Sequence, residues 1–324
     1  GQPARIGTGR RAVGPGGGGM KSTRSGITRY TVGLPLVLFA VLAVAVPNFL
    51  DGQNLANISA QITALLIVTL GQMVVALIAG IDLSVGAVVS LAACIVATQP
   101  DPLVGTLLAL ALGLAVGLVN GLGVALAGIH PLVMTLSSMT FLQGVAYLIL
   151  PIPGGNVAPI LGELANGSLW TLPNPLLWCA LFAALVALLL HRSRLGLHIF
   201  AVGANPHSAK LNGVRAWGVV VAAYVVCSLL AVVAGIYLAA RVSSGDPTMG
   251  ASFSLESITA VALGGVQLTG GVGSIVGVVT GAVSLGLITN GINLFGLSPF
   301  LRGTVTGALL LTAVCLQRRK AVGL

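Results

Sequence analysis

The sequence predicts an all-α fold, a polytopic bundle of membrane-spanning helices, and three observations carry that expectation. Only 6% of the 324 residues are charged while 56% are hydrophobic, against about 25% charged in an ordinary soluble domain. Mean hydropathy is +1.05. Apolar stretches recur along the chain, many reaching the roughly 18 residues that a lipid-crossing helix needs. A water-soluble fold of this size could not cover its surface with so few ionised groups. The composition therefore excludes a soluble enzyme and a disulfide-stapled secreted domain.

Residues 1–30 are Gly-rich and basic and contain no apolar run, which predicts a disordered cytoplasmic tail. They lack the apolar core of a signal peptide. Gly16 to Ser22 reads GGGGMKS and superficially matches a phosphate-binding loop. Met20 stands where that motif needs Gly before Lys21, and no strand precedes it. The chain thus has no nucleotide site of its own.

Ten apolar segments follow, at about 31–50, 55–79, 84–99, 103–128, 131–150, 174–191, 217–240, 255–271, 273–294 and 299–316. They define a transmembrane domain over 31–316, with 317–324 as a short cytoplasmic tail. The third and eighth are the shortest. They are expected to be broken or re-entrant, which membranes tolerate only where the backbone is buried in protein or lines a cavity.

An even number of spans puts both termini on one side. If that side is the cytoplasm, thirteen of the fifteen Lys and Arg lie inside: the tail, the 192–216 loop and Arg318, Arg319 and Lys320. Only Arg241 and Arg302 fall outside, with Asp51, Asp101, Glu163 and Asp246. This is the positive-inside asymmetry, and it agrees with the independent segment count. The net charge of +9 then sets topology; it does not imply a nucleic-acid partner. Tyr30, Trp170, Trp178 and Trp217 sit near segment ends, where amphipathic rings favour the interface.

Cys94, Cys179, Cys227 and Cys315 are scattered in apolar sequence, so neither a disulfide nor a metal site is expected. Gly113, Gly117 and Gly121, and again Gly273, Gly277 and Gly281, repeat at four-residue spacing. That spacing lets helix backbones approach closely in lipid. No catalytic constellation is present. Asp82 is the one acid flanked on both sides by long apolar segments, and Gly80 and Gly86 around it predict a break between spans. There its carboxylate would accept backbone N–H groups or cap the following helix. Neutral polar groups in the spans, Gln61, Asn120, Thr135, Ser137, Gln143, Asn290 and Asn293, join Asp82 as candidate lining for the path of an uncharged polyhydroxyl solute. Each alone is more often helix–helix glue than a ligand contact.

The 192–216 loop carries the sharpest local signal. Asn205 is a good N-cap, Pro206 suits the first helical position, and Gly213 suits the residue past a helix end. The segment Ala204, Asn205, Pro206, His207, Ser208, Ala209, Lys210, Leu211, Asn212 and Gly213 is therefore expected to hold a helix of about two turns on the basic side. Ala209, small and central, is the expected point of close approach by a soluble partner.

Four stretches resemble one family in its own order: Gly80-Ile81-Asp82-Leu83-Ser84-Val85-Gly86; Asn120-Gly121 through His130-Pro131 to Thr135-Leu136; Ala201 through Asn205 and Ala209 to Asn212-Gly213-Val214; and Ala260 through Leu263-Gly264-Gly265 to Gly270-Gly271-Val272-Gly273-Ser274. The chain resembles the permease subunits of ribose-type ABC sugar importers over about residues 31–316. The resemblance implies a subunit of the bacterial inner membrane, with no enzyme activity or cofactor of its own. Two ATP-binding subunits would hold ATP and Mg, a second permease subunit would complete the pore, and a periplasmic solute-binding protein would deliver the sugar. The short helix at 204–213 would be the coupling helix toward the ATPase. His130-Pro131-Leu132 departs from the family's usual run there, as do the basic tail and the outer loop 151–173. A related ABC permease for an autoinducer or branched-chain amino acids remains an alternative. So does a secondary transporter or channel, although no inverted repeat is legible in the residues.

Overall fold

A computed structural model describes residues 20–316. Most of the predicted basic tail, and residues 317–324, lie outside the described residues. The helices are α1 (Met20–Ala45), α2 (Gly52–Leu77), α3 (Val85–Thr98), α4 (Pro102–Ala125), α5 (Pro131–Ile149), α6 (Pro159–Asn166), α7 (Asn174–Arg192), α8 (Arg194–Ala204), α9 (Pro206–Leu211), α10 (Ala216–Val242), α11 (Phe253–Leu263), α12 (Ile275–Leu294) and α13 (Pro299–Leu316). A two-residue hairpin pairs β1 (Ser168–Leu169) with β2 (Leu172–Pro173).

Each predicted segment corresponds to a helix: α1–α5, α7 and α10–α13. Among the described residues six, α2, α4, α5, α7, α10 and α12, are long and apolar enough to cross a membrane. The segments expected to be interrupted are the short ones, with 14 residues in α3 and 11 in α11. Four boundaries differ from the sequence reading. Helix α11 stops at Leu263, short of the expected 271, and Gly265, Gly270 and Gly271 beyond it take positive φ. Helix α1 starts at Met20, ahead of residue 31, because lengthening an existing helix adds one bond per residue without a new nucleus. The 192–216 loop holds α8 as well as α9; Ser193 starts it by accepting from Gly196 N at 3.0 Å. The 151–173 loop holds α6 and the hairpin, tied down by Trp178 Nε1 donating to Leu164 O at 2.9 Å.

Helices α2 and α10 pack on each other at the centre, and α3–α5 and α11–α13 wrap them as two matched halves. Helix α10 lies against α3 and α4; α2 lies against α11 and α12. Helix α3 touches α4 and α5, as α11 touches α12 and α13. The halves run in opposite directions. At one end of the bundle Gly271 N donates to Leu77 O at 2.8 Å, beside Gly203. At the other, Gly154 and Gly245 exchange backbone bonds of 2.8 and 2.9 Å, and Asn156 N donates to Ala97 O at 2.8 Å. An inverted relation therefore exists, contrary to the sequence reading. It lives in helix order and direction, which residue identities need not record.

Glycine sets how close these helices come. A Cβ on Gly117 would stand 2.5 Å from Val225 Cα, and one on Gly121 2.7 Å from Val221 Cα. Gly113 faces Val232 on the same helix, α10. On α12, Gly277 and Gly281 lie against the carbonyls of Gly264 and Ala260, and Gly273, just before that helix, meets Leu77 and Val266 side chains. Lipid offers no hydrophobic gain between helices, so close van der Waals contact supplies the attraction.

Candidate functional site

The first interruption runs from Ile78 to Ser84. Ala79 turns it with φ 61°, and Asp82 is completely buried. Asp82 Oδ1 accepts from Ser84 N at 2.9 Å and from Ser84 Oγ at 2.6 Å. Asn120 Nδ2 donates to Ser84 Oγ at 2.9 Å, and Ser138 Oγ donates to Asn120 Oδ1 at 2.5 Å. With its amide set to satisfy both groups, Gln72 donates to Asp82 O at 3.0 Å and accepts from Asp82 N at 3.2 Å. Thr135 Oγ1 donates to Pro131 O at 2.9 Å and reaches Ile81 O at 3.4 Å. Of the candidate pathway residues, Asp82, Asn120 and Thr135 thus come together at a buried seam joining α2–α5.

The second interruption, residues 243–252, starts with Ser243 in the left-handed region, φ 55°. It meets the first. Gly250 N donates to Ser90 Oγ at 2.8 Å, and Ser254 Oγ donates to Leu83 O at 2.7 Å. A Cβ on Gly86 would lie 2.6 Å from Gly250 O. This break opens beside a cavity of about 320 Å³ lined by Gln61, Arg241, Phe253, Thr289, Asn293 and Arg302, among others. Arg302 Nη2 donates to Glu256 Oε2 at 2.7 Å, with Glu256 only 3% exposed. Arg241 reaches Asn57 Oδ1 at 3.5 Å. Gln61 and Asn293 are the sequence candidates that fall here. Arg241, Glu256 and Arg302 were not among them, although the two arginines are the exceptions to the charge asymmetry.

Three candidates join neither group. Gln143 Nε2 donates to Pro247 O at 2.6 Å beside a separate cavity. Asn290 Nδ2 donates to Asn54 Oδ1 at 2.9 Å. Ser137 is exposed and bonds back to Val133 O at 2.9 Å within its own helix.

Helix α9 has the predicted ends. Asn205 Oδ1 accepts from Ser208 N at 3.0 Å, Pro206 opens the helix, and Gly213 takes φ 80°. Ala204 ends α8, so the helix itself spans six residues. One expectation is corrected. Ala209 is buried, turned toward its own chain where Val214 N donates to Ala209 O at 3.1 Å. The free face carries His207, Ser208, Lys210 and, at 76% exposure, Leu211.

The family described as branched-chain amino acid transport system / permease component matches residues 54–314. The ribose import permease protein of Escherichia coli K12 is 38% identical over 295 residues, covering 88% of this chain and 92% of its own. That of Bacillus subtilis 168 is 34% identical over 88% of this chain and 91% of its own. The chain belongs to the ABC importer permeases of the ribose type. The galactose/methyl galactoside import permease protein of Haemophilus influenzae Rd is also similar to this permease, at 31% identity over 88% of this chain and 92% of its own. No solved structure matches it significantly. The permease is a multi-pass protein of the bacterial inner membrane, and both interruptions fall within its matched region.

Proposed function

We propose that this permease carries a monosaccharide into the cell, powered by two separate ATP-binding subunits that hold ATP and Mg. A second permease subunit, identical or related, completes the path, and a periplasmic binding protein delivers the solute. Ten spans with both termini cytoplasmic fit the segment count and the charge asymmetry. The observation that carries the reading is α9, a capped helix on the basic end with Leu211 exposed. Isolated helices below about 12 residues are marginal, and a water-facing leucine at such a tip is suited to a soluble partner's groove. Branched-chain amino acids fit less well, since the relatives cited by name import sugars.

Leu211→Glu places a charge in that contact without touching the buried face of α9. It should leave the permease in the membrane while ATP-binding subunits no longer co-purify and uptake is lost. Retention of both would remove the assignment. Thiol labelling of intact cells checks the orientation: a cysteine at Glu163 should react from outside and one at Ser208 should stay protected.

A further inference from the structure

The cavity beside the second interruption brings together polar groups from four helices. Gln61 lies in the third turn of α2, Arg241 in the last turn of α10, Thr289 and Asn293 near the end of α12, and Arg302 in the first turn of α13. All five therefore sit in the half of the bundle that holds the Gly154–Gly245 pairing. Charge inside a membrane protein is expensive and is retained where it lines a pathway or pairs. Here both occur: Arg302 is held by Glu256 and still faces the cavity, its side chain 37% exposed.

Glu256 offsets Arg302, and Arg241, the one cation in excess, stands at the C-terminal end of α10, where the helix dipole favours a cation. That excess would favour an anion, and the comparison with D-gluconate below tests it. To a neutral solute the cavity offers hydrogen bonding. The guanidinium of Arg302 spends one N–H on Glu256; its Nε is buried and has no partner among the described residues, so contact with a solute falls to the remaining Nη N–H groups. Planar amides and guanidinium forks match pairs of adjacent hydroxyls, because each presents two polar atoms in a fixed plane. Phe253 adds an apolar face for the C–H side of a sugar ring. The volume, about 320 Å³, lies at the small end of ligand cavities.

Resting on the importer reading above, we propose that this cavity is an outward-facing binding site for a neutral monosaccharide, with Gln61, Asn293 and the Arg302 fork as its hydroxyl contacts. Glu256 is a positioning residue that fixes the fork. The binding protein does not then hold all of the selectivity; part of it belongs to this chain.

The test is uptake by proteoliposomes that carry the whole importer, with binding protein at saturation. The probes are D-ribose, D-galactose and the singly deoxygenated analogues of each. Gln61→Ala, Asn293→Ala and Arg302→Lys are compared with the parent; the lysine keeps the charge facing Glu256 and loses the fork. A lost hydrogen bond should lower the maximal rate for the parent sugar about tenfold and spare the analogue that lacks the corresponding hydroxyl, so the ratio between them shifts by about fivefold or more. A role in packing alone would slow every sugar by the same factor, and that result overturns the proposal. Faster uptake of D-gluconate than of either sugar by the parent importer would also overturn it. No uptake of any neutral sugar by the parent importer is a different failure, that of the importer reading itself.

Discussion

The two interruptions occupy matching places in the inverted halves, and each turns an aspartate back on a hydroxyl two residues on, Asp82 on Ser84 and Asp246 on Thr248, yet what surrounds those turns differs. The break before α3 is closed. Asp82, Ser84, Asn120 and Ser138 form a chain in which every donor points toward the carboxylate, and Gln72 holds the backbone of Asp82. The break before α11 is open. The acid of the helix that follows it, Glu256, pairs with an arginine that borders a cavity. The same backbone solution, a helix interrupted in the membrane, thus serves as a joint in one half and as a site in the other. What decides between them is whether the polar groups are buried in one chain, as at Asp82, whose Oδ2 still has no partner among the described residues, or face a cavity.

The largest effect should come from attacking the point where the breaks meet. Gly86→Val must displace the Gly250 carbonyl, and we expect a loss of stability above about 4 kcal/mol, in the range of severe core disruptions. Folded permease in membranes, assayed by size-exclusion after mild detergent extraction, should be nearly absent. Next, Asp82→Ala removes the terminal acceptor of the closed network. It should cost about 2 kcal/mol, the range for a hydrogen bond to a charged group, read as a lower thermal midpoint with the parent-to-deoxy sugar ratio unchanged. A shifted ratio would erase the distinction between the breaks.

Ser138→Ala removes one neutral donor at the outer end of that network and should cost about 1 kcal/mol. Glu256→Gln provides the contrast. Arg302 is partly solvated, so stability should fall less than in Asp82→Ala while uptake drops more. The smallest effect sharpens the role of Asp82. Asp82→Asn keeps an acceptor for Ser84, so uptake at constant ATP should fall only in part and remain insensitive to a protonophore. Sensitivity to the protonophore would make Asp82 a proton carrier.

How much of this was legible follows from the range of each signal. The ends of α9 are written in residues a few positions apart, Asn205, Pro206 and Gly213, and the chain obeys them. Its buried face was not legible, since six residues are too few to define a period, and Ala209 was assigned to the wrong side. The two interruptions were visible as segments too short to span. Their contrast was not, because Glu256 and Arg302 are 46 residues apart, and Asn120 reaches Ser84 across 36. Polar residues inside spans could be named from sequence. Their partition into joint, cavity and isolated helix bonds depends on tertiary neighbours alone.

The contact between Gly86 and Gly250 limits how this protein can change. Most tight contacts between side chains can be relieved by a second substitution that shrinks the neighbour. Here the nearest obstacles include backbone carbonyls on both sides, and glycine is already the smallest residue. A bulky replacement at either position has no suppressor available at the other. Genetic screens for compensating mutations should therefore return revertants at these two codons and leave the pairing itself untouched.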